Sequence, residues 1–258
     1  MNRRVLTALA GIPLILLLAY LGKGAWLTAV MVLHLLATRE SKRLGLVPKE
    51  TVTTGLAYLA VPLFELWAYG RGLQGWTHSL LVVFAVTTLA YILRYPRSSL
   101  ASWSTEFLTI TYLGLFCFLV MLERVKGWPY LWMLLFTVWA NDTVAYYSGS
   151  RFGRRALAPA VSPRKTWEGA ISGLAAAAIV GAGAAYYWFG QAGLGAVLGL
   201  AVAAAAQLGD LWESALKRQS GVKDTGNLLP GHGGVLDRFD SLLFAAPLGF
   251  YLVQFLKL

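Results

Sequence analysis

All five aspartates of the chain, Asp142, Asp210, Asp224, Asp237 and Asp240, lie in its second half. Asp237 and Asp240 are spaced i, i+3, which puts both carboxylates on one face of a helix. Asp210 opens a stripe in which Asp210, Ser214 and Lys217 share a face at i, i+4 and i+7. Three carboxylates brought together from two helix ends repel one another unless a cation sits between them. Hard oxygen ligands with open positions suit Mg2+, which is commonly held by one or two carboxylates and completed by substrate phosphates. Asp210, Asp237 and Asp240 are therefore the expected metal ligands. The plainer alternative is a set of solvated interfacial acids paired with Lys217, Arg218 and Arg238.

Two other stretches suit anions. Pro230-Gly231-His232-Gly233-Gly234 directly precedes the Asp237/Asp240 pair. Its glycines let backbone amides turn inward, a helix N-terminus favours an anion, and His232 can donate to phosphate or act as an acid or base. Ser162-Pro163-Arg164-Lys165-Thr166-Trp167-Glu168-Gly169 reads as a helix start with Ser162 at the N-cap and Pro163 at N1. Arg164 and Lys165 would then oppose the helix dipole in the first turn, a broken local rule that marks a site awaiting an anionic ligand.

The elements that must position these groups are membrane helices. Hydrophobic residues make up 57% of the chain and charged residues only 13%, with a mean hydropathy of +0.60. Soluble domains carry about 25% charged residues. Long apolar runs separated by short basic loops predict an all-α integral membrane protein, a single polytopic domain over residues 1–258 with its chemistry in 141–240. Nine spans are expected, near Val5–Leu21, Ala25–Ala37, Val52–Tyr69, His78–Leu93, Phe107–Leu122, Tyr130–Tyr147, Ala170–Phe189, Leu194–Leu208 and Leu236–Phe255. Alternate loops collect 17 of the 22 Lys and Arg residues. That asymmetry predicts a cytoplasmic N-terminus, an odd number of spans and an outside C-terminus. It also accounts for the net charge of +10 without nucleic acid. Gly169-x-x-x-Gly173 and Gly195-x-x-x-Gly199 predict close helix packing, and the lone Cys117 and His34, both in apolar runs, read as packing residues.

Within that frame one long pattern stands out: Ser214-x-x-Lys217-Arg218-x-x-x-x-Lys223-Asp224-x-Gly226-x-x-Leu229-Pro230-Gly231-His232-Gly233-Gly234-x-x-Asp237-Arg238-x-Asp240. It resembles the signature of the phosphatidate cytidylyltransferases, or CDP-diacylglycerol synthases. Ser162-Pro163-x-Lys165-Thr166-x-Glu168-Gly169 and Asn141-Asp142 also look like elements of that family. The resemblance is close over the second half of the chain; the first half matches only in being helical.

The resemblance implies a Mg2+-dependent reaction of CTP with phosphatidate that gives CDP-diacylglycerol and pyrophosphate. It implies that Asp210, Asp237 and Asp240 hold the metal, with room for a monovalent cation beside it. It further implies a homodimer in the cell's inner membrane, its active site facing the cytoplasm. Lys165, Lys217, Arg218, Lys223, Asp224 and His232 are the expected catalytic groups. Asn141, Asp142, Ser162, Arg164, Ser214, Gly233, Gly234 and Arg238 are the expected substrate-binding groups. Two rivals belong to other classes. A CTP-dependent lipid kinase would transfer the γ-phosphate. An ion-coupled transporter would carry its acids at the bilayer midplane within inverted repeats, and no repeat is visible.

Overall fold

A computed structural model describes residues 3–42, 44–45, 51–226, 228 and 233–255. The chain is nearly all helical: α1 (Arg3–Leu21), α2 (Lys23–Ser41), α3 (Thr51–Arg71), α4 (Leu73–Arg94), α5 (Leu100–Gly114), α6 (Cys117–Lys126), α7 (Trp128–Phe152), α8 (Trp167–Phe189), α9 (Ala192–Gln219) and α10 (Leu236–Phe255). Only Leu115 and Phe116 separate α5 from α6, so the ten helical segments among the described residues correspond to the nine expected rods. Among the described residues, four stretches are long and apolar enough to cross a membrane: Leu73–Arg94, Leu100–Lys126, Trp167–Phe189 and Ala192–Gln219.

One exception to the all-helical expectation lies between α7 and α8. Strands β1 (Ala156–Ala158) and β2 (Ser162–Thr166) form an antiparallel hairpin, with Ala156 opposite Thr166 and Ala158 opposite Ser162. Ser162 is therefore not a helix cap, and Arg164 and Lys165 are strand residues rather than first-turn cations. Thr166 caps α8 instead, its hydroxyl accepting from the Gly169 amide at 3.2 Å. A threonine at that position is itself a strong cap. Glu168 then falls in the first turn, where an acid complements the dipole, and its Oε2 accepts from the Arg154 and Arg155 amides at 3.1 and 3.3 Å.

The chain divides into two compact units. The first comprises residues 1–125 and 224–238, the second 126–223 and 239–258. In the first, the run from Phe116 to Leu122 is buried on every side. Trp26 of α2 donates its indole N–H to the Leu119 carbonyl at 3.0 Å, satisfying a polar atom that burial would otherwise penalise. His34 meets Glu65 at 3.0 Å and stacks on Phe116, a packed and hydrogen-bonded residue as its apolar setting suggests.

In the second unit α8 packs closely against α7 and α9 because small residues line both contacts. A Cβ on Gly173 would lie 2.7 Å from Asn141 Oδ1, and one on Gly181 would lie 3.0 Å from the Gly199 Cα. Both small-residue pairs read from the sequence thus sit where helices touch, and their value is close backbone approach. Gly209 plays the same part for α10, since a Cβ there would be 2.6 Å from the Asp240 carbonyl oxygen.

Candidate functional site

The close approach at Gly209 sets Asp240 of α10 beside the polar end of α9 in the second unit. Asp210, Glu213, Ser214 and Lys217 follow on α9, which continues as one helix well past its apolar part, to Gln219. Lys165 reaches Asp210 from β2 and pairs with its Oδ2. Ser214 lies 3.5 Å from Asp210 Oδ1, and Lys217 donates to Glu213 Oε2 at 3.1 Å. Glu213 is fully buried and Asp240 is 7% exposed. The Asp240 carboxyl lies near those of Glu213 and Asp210, and its Oδ1 accepts from the Ser241 amide at 2.7 Å. Carboxyl groups gathered in this way call for positive charge among them, part of which Lys217 supplies.

Asn141 and Asp142 bring α7 into the same cluster. Asn141 donates to Asp142 Oδ1 at 2.9 Å, and its own Oδ1 accepts from Gln207 Nε2 at 2.8 Å; Gln207 also donates to the Ala170 carbonyl at 3.0 Å. Asp142 feels the charges of Asp210, Asp240 and Lys165. The structure therefore gathers Asn141, Asp142, Lys165, Asp210, Ser214, Lys217 and Asp240 into one polar cluster. Arg218 stands at its edge, exposed, and its Nε donates to the Val161 carbonyl at 3.3 Å, tying the hairpin to α9. Ser162 and Arg164 are on β2, with Arg164 exposed, and Lys223 is exposed beyond α9.

The remaining signature residues form a second arrangement, in the first unit. Asp237 Oδ2 accepts from the Thr225 amide (2.9 Å), the Thr225 hydroxyl (3.0 Å) and the Gly234 amide (2.7 Å). Gly233 has φ +83°, a left-handed conformation that favours glycine, and a Cβ there would be 2.8 Å from Asp237 Oδ2. Asp224 and Arg238 are exposed on either side of this loop. His232 lies outside the described residues. Glu40 of α2 completes the arrangement: Val235 and Leu236 donate their amides to its two oxygens at 2.9 Å each, and the Thr225 hydroxyl is 3.2 Å from Oε2.

Glu40, Glu213 and Gln207 received no role from the sequence alone. Gln207 carried a signal, as the sole side-chain amide in the apolar run of α9 before Asp210. Among the described residues no three acidic, His or Cys side chains form a ready metal cage. Asp210 and Asp240 nevertheless offer the oxygen donors that a magnesium ion completes with substrate phosphate, and the carboxyl pair at Asp240 and Glu213 is a place where positive charge is needed.

Residues 2–256 match the cytidylyltransferase family. A phosphatidate cytidylyltransferase of Staphylococcus aureus strain COL is 34% identical over 258 residues, covering 96% of this chain and 97% of that one. One from Haemophilus influenzae is 40% identical over 203 residues, covering 68% and 69%. One from Synechocystis is 32% identical over 291 aligned positions, covering 99% and 97%. The polar cluster of α7, β2, α9 and α10 and the loop before α10 thus stand in a chain that is an enzyme, a nucleotidyltransferase, and that belongs to the cytidylyltransferase family.

Proposed function

We propose that the protein is a CTP:phosphatidate cytidylyltransferase of the cytoplasmic membrane, working at the cytoplasmic face. A phosphatidate phosphate oxygen attacks the α-phosphorus of CTP, the bond to the β-phosphate oxygen breaks, and pyrophosphate leaves as CDP-diacylglycerol forms. The observation that carries this reading is the convergence of Lys165 and Lys217 on the carboxylates of Asp210, Glu213 and Asp240. It is an array of both charge signs, suited to a metal-bound polyphosphate, at the polar end of apolar helices that give a lipid access. The similarity to phosphatidate cytidylyltransferases over almost the whole chain supplies the substrate class.

A phosphate monoester is already largely ionised near neutrality, so the reaction needs no strong base. The chain contributes positioning and charge. Lys165 and Lys217, held in place by Asp210 and Glu213, supply positive charge to the phosphates, with Arg218 and Lys223 beside them. Asn141 and Ser214 orient Asp142 and Asp210. Asp210 and Asp240 would hold Mg2+, with Asp237, one turn earlier on α10, the third ligand that the signature implies. The ion would neutralise nucleotide phosphate charge. A homodimer and a monovalent cation belong to the same reading.

Labelled CTP tests it. With purified protein, label from α-labelled CTP should enter the lipid phase only when phosphatidate and Mg2+ are both present, with pyrophosphate released. Label entering lipid from the γ-position and not from the α-position would make the enzyme a kinase instead.

A further inference from the structure

We infer that Glu40, in the half of the chain that carries no signature residue, is a positioning residue for the signature loop. It holds the described ends of that loop, Thr225 and Gly226 on one side and Gly234 to Leu236 on the other, and with them the start of α10. Glu40 is 1% exposed. A carboxylate buried this far is costly unless its oxygens are hydrogen-bonded. Here both are, to the Val235 and Leu236 amides at 2.9 Å each. Those are among the amides at a helix N-terminus that no intrahelical partner serves, and a negative charge there is favoured by the dipole. The Thr225 hydroxyl lies between Glu40 Oε2 at 3.2 Å and Asp237 Oδ2 at 3.0 Å. With one proton it can donate to only one of them at a time, and so it couples the two carboxylates.

The glycines of the signature gain a reason from the same contact. A Cβ on Gly226 would be 2.6 Å from Glu40 Oε1, and one on Gly234 would overlap Glu40 Oε2 and the Thr225 hydroxyl. Both positions are glycine because the Glu40 carboxylate fills the space a side chain would take. Gly234, which the sequence offers as part of a phosphate cradle, therefore seats a carboxylate of the protein itself. The loop's amides at 235 and 236 point at Glu40 and are not available to a substrate anion. Glu40 touches no reacting atom in this scheme. It acts through Thr225 and Asp237, and through them on the helix that carries Asp240.

The inference rests on the proposed reaction only for what the loop serves, and its test has a readout that does not depend on activity. In the purified full-length protein, Glu40→Gln keeps the size of the side chain and removes its charge. Amide hydrogen exchange at Val235 and Leu236 should quicken at least about tenfold, while exchange in α3 and α4 stays as in the parent. Turnover should fall at least about tenfold, since small misplacements of reacting groups carry losses of that order or larger, with KM for phosphatidate unchanged. Unaltered exchange at those two amides, exchange that quickens across the whole unit, or parental turnover despite a loosened loop would each overturn the inference. Should Glu40→Gln not yield folded protein, Gly226→Ala displaces Glu40 while retaining its charge. The same loop-confined quickening and loss of turnover are expected there, and parental behaviour in that variant would overturn the inference as well. A parent enzyme that proved to transfer the γ-phosphate would sink the proposed reaction and leave these exchange results to judge Glu40 on their own.

Discussion

The Lys165 ammonium rests against the Asp210 carboxylate, joining the β-hairpin to α9, and the two side chains remain 28% and 34% exposed. An ion pair so open to solvent contributes at most about 1 kcal/mol to folding. Its importance lies in where it holds the cation. Lys165→Gln should therefore leave stability within about 1 kcal/mol of the parent and lower turnover about a hundredfold, the scale of losing one preorganised charge-stabilising group. Turnover at the parental level would return Lys165 to a role in topology alone.

The carboxylates make a separate prediction. Asp210→Asn and Asp240→Asn, each isosteric, should lower activity by more than about a hundredfold, because ligands matter at least as much as the outer-shell groups whose loss costs 10–100-fold. Binding of Mn2+ as a Mg2+ surrogate should weaken in parallel. Asp237→Asn is expected to do the same if Asp237 is a ligand. If it only organises the loop through Thr225 and Gly234, turnover falls while Mn2+ affinity holds. Near-normal turnover in any of the three removes that residue from the site.

The loop charges also make a prediction about topology. Reporter fusions after Leu258 and within residues 156–162 should give opposite signals, with the hairpin in the cytoplasm. Matching signals would sink the nine-span arrangement.

The helix cap found at Thr166 can be weighed directly. Thr166→Ala removes the acceptor for the Gly169 amide and should destabilise the second unit by about 1 kcal/mol, seen as a lower thermal midpoint in detergent. Ser162→Ala should have no such effect, since Ser162 caps nothing.

Much of the helical frame was legible because hydropathy reports it directly: α10 runs from Leu236 to Phe255 as the pattern predicted, and α9 extends the expected eighth span through Lys217. The Ser162 reading went astray because Ser-Pro is a common helix opening, while a strand of five residues leaves almost no periodic trace. The pairing that makes it a strand depends on β1. The cluster of Lys165 with Asp210 was visible only as residue types, since nothing local says that β2 returns to α9. Glu40 could not be read at all from its neighbours, as its partners are 185 to 196 residues away.

The turn between α8 and α9 has a consequence for how the protein is made. α8 ends on Gly190, held at φ +73°, and α9 begins two residues later at Ala192. So short a connection leaves the two helices no choice but to run antiparallel, and their glycine faces are already matched at Gly181 and Gly199. Two apolar helices joined and packed this closely would enter a bilayer most easily as one hairpin. Lengthening the connection would leave the second helix to depend more on its own hydropathy.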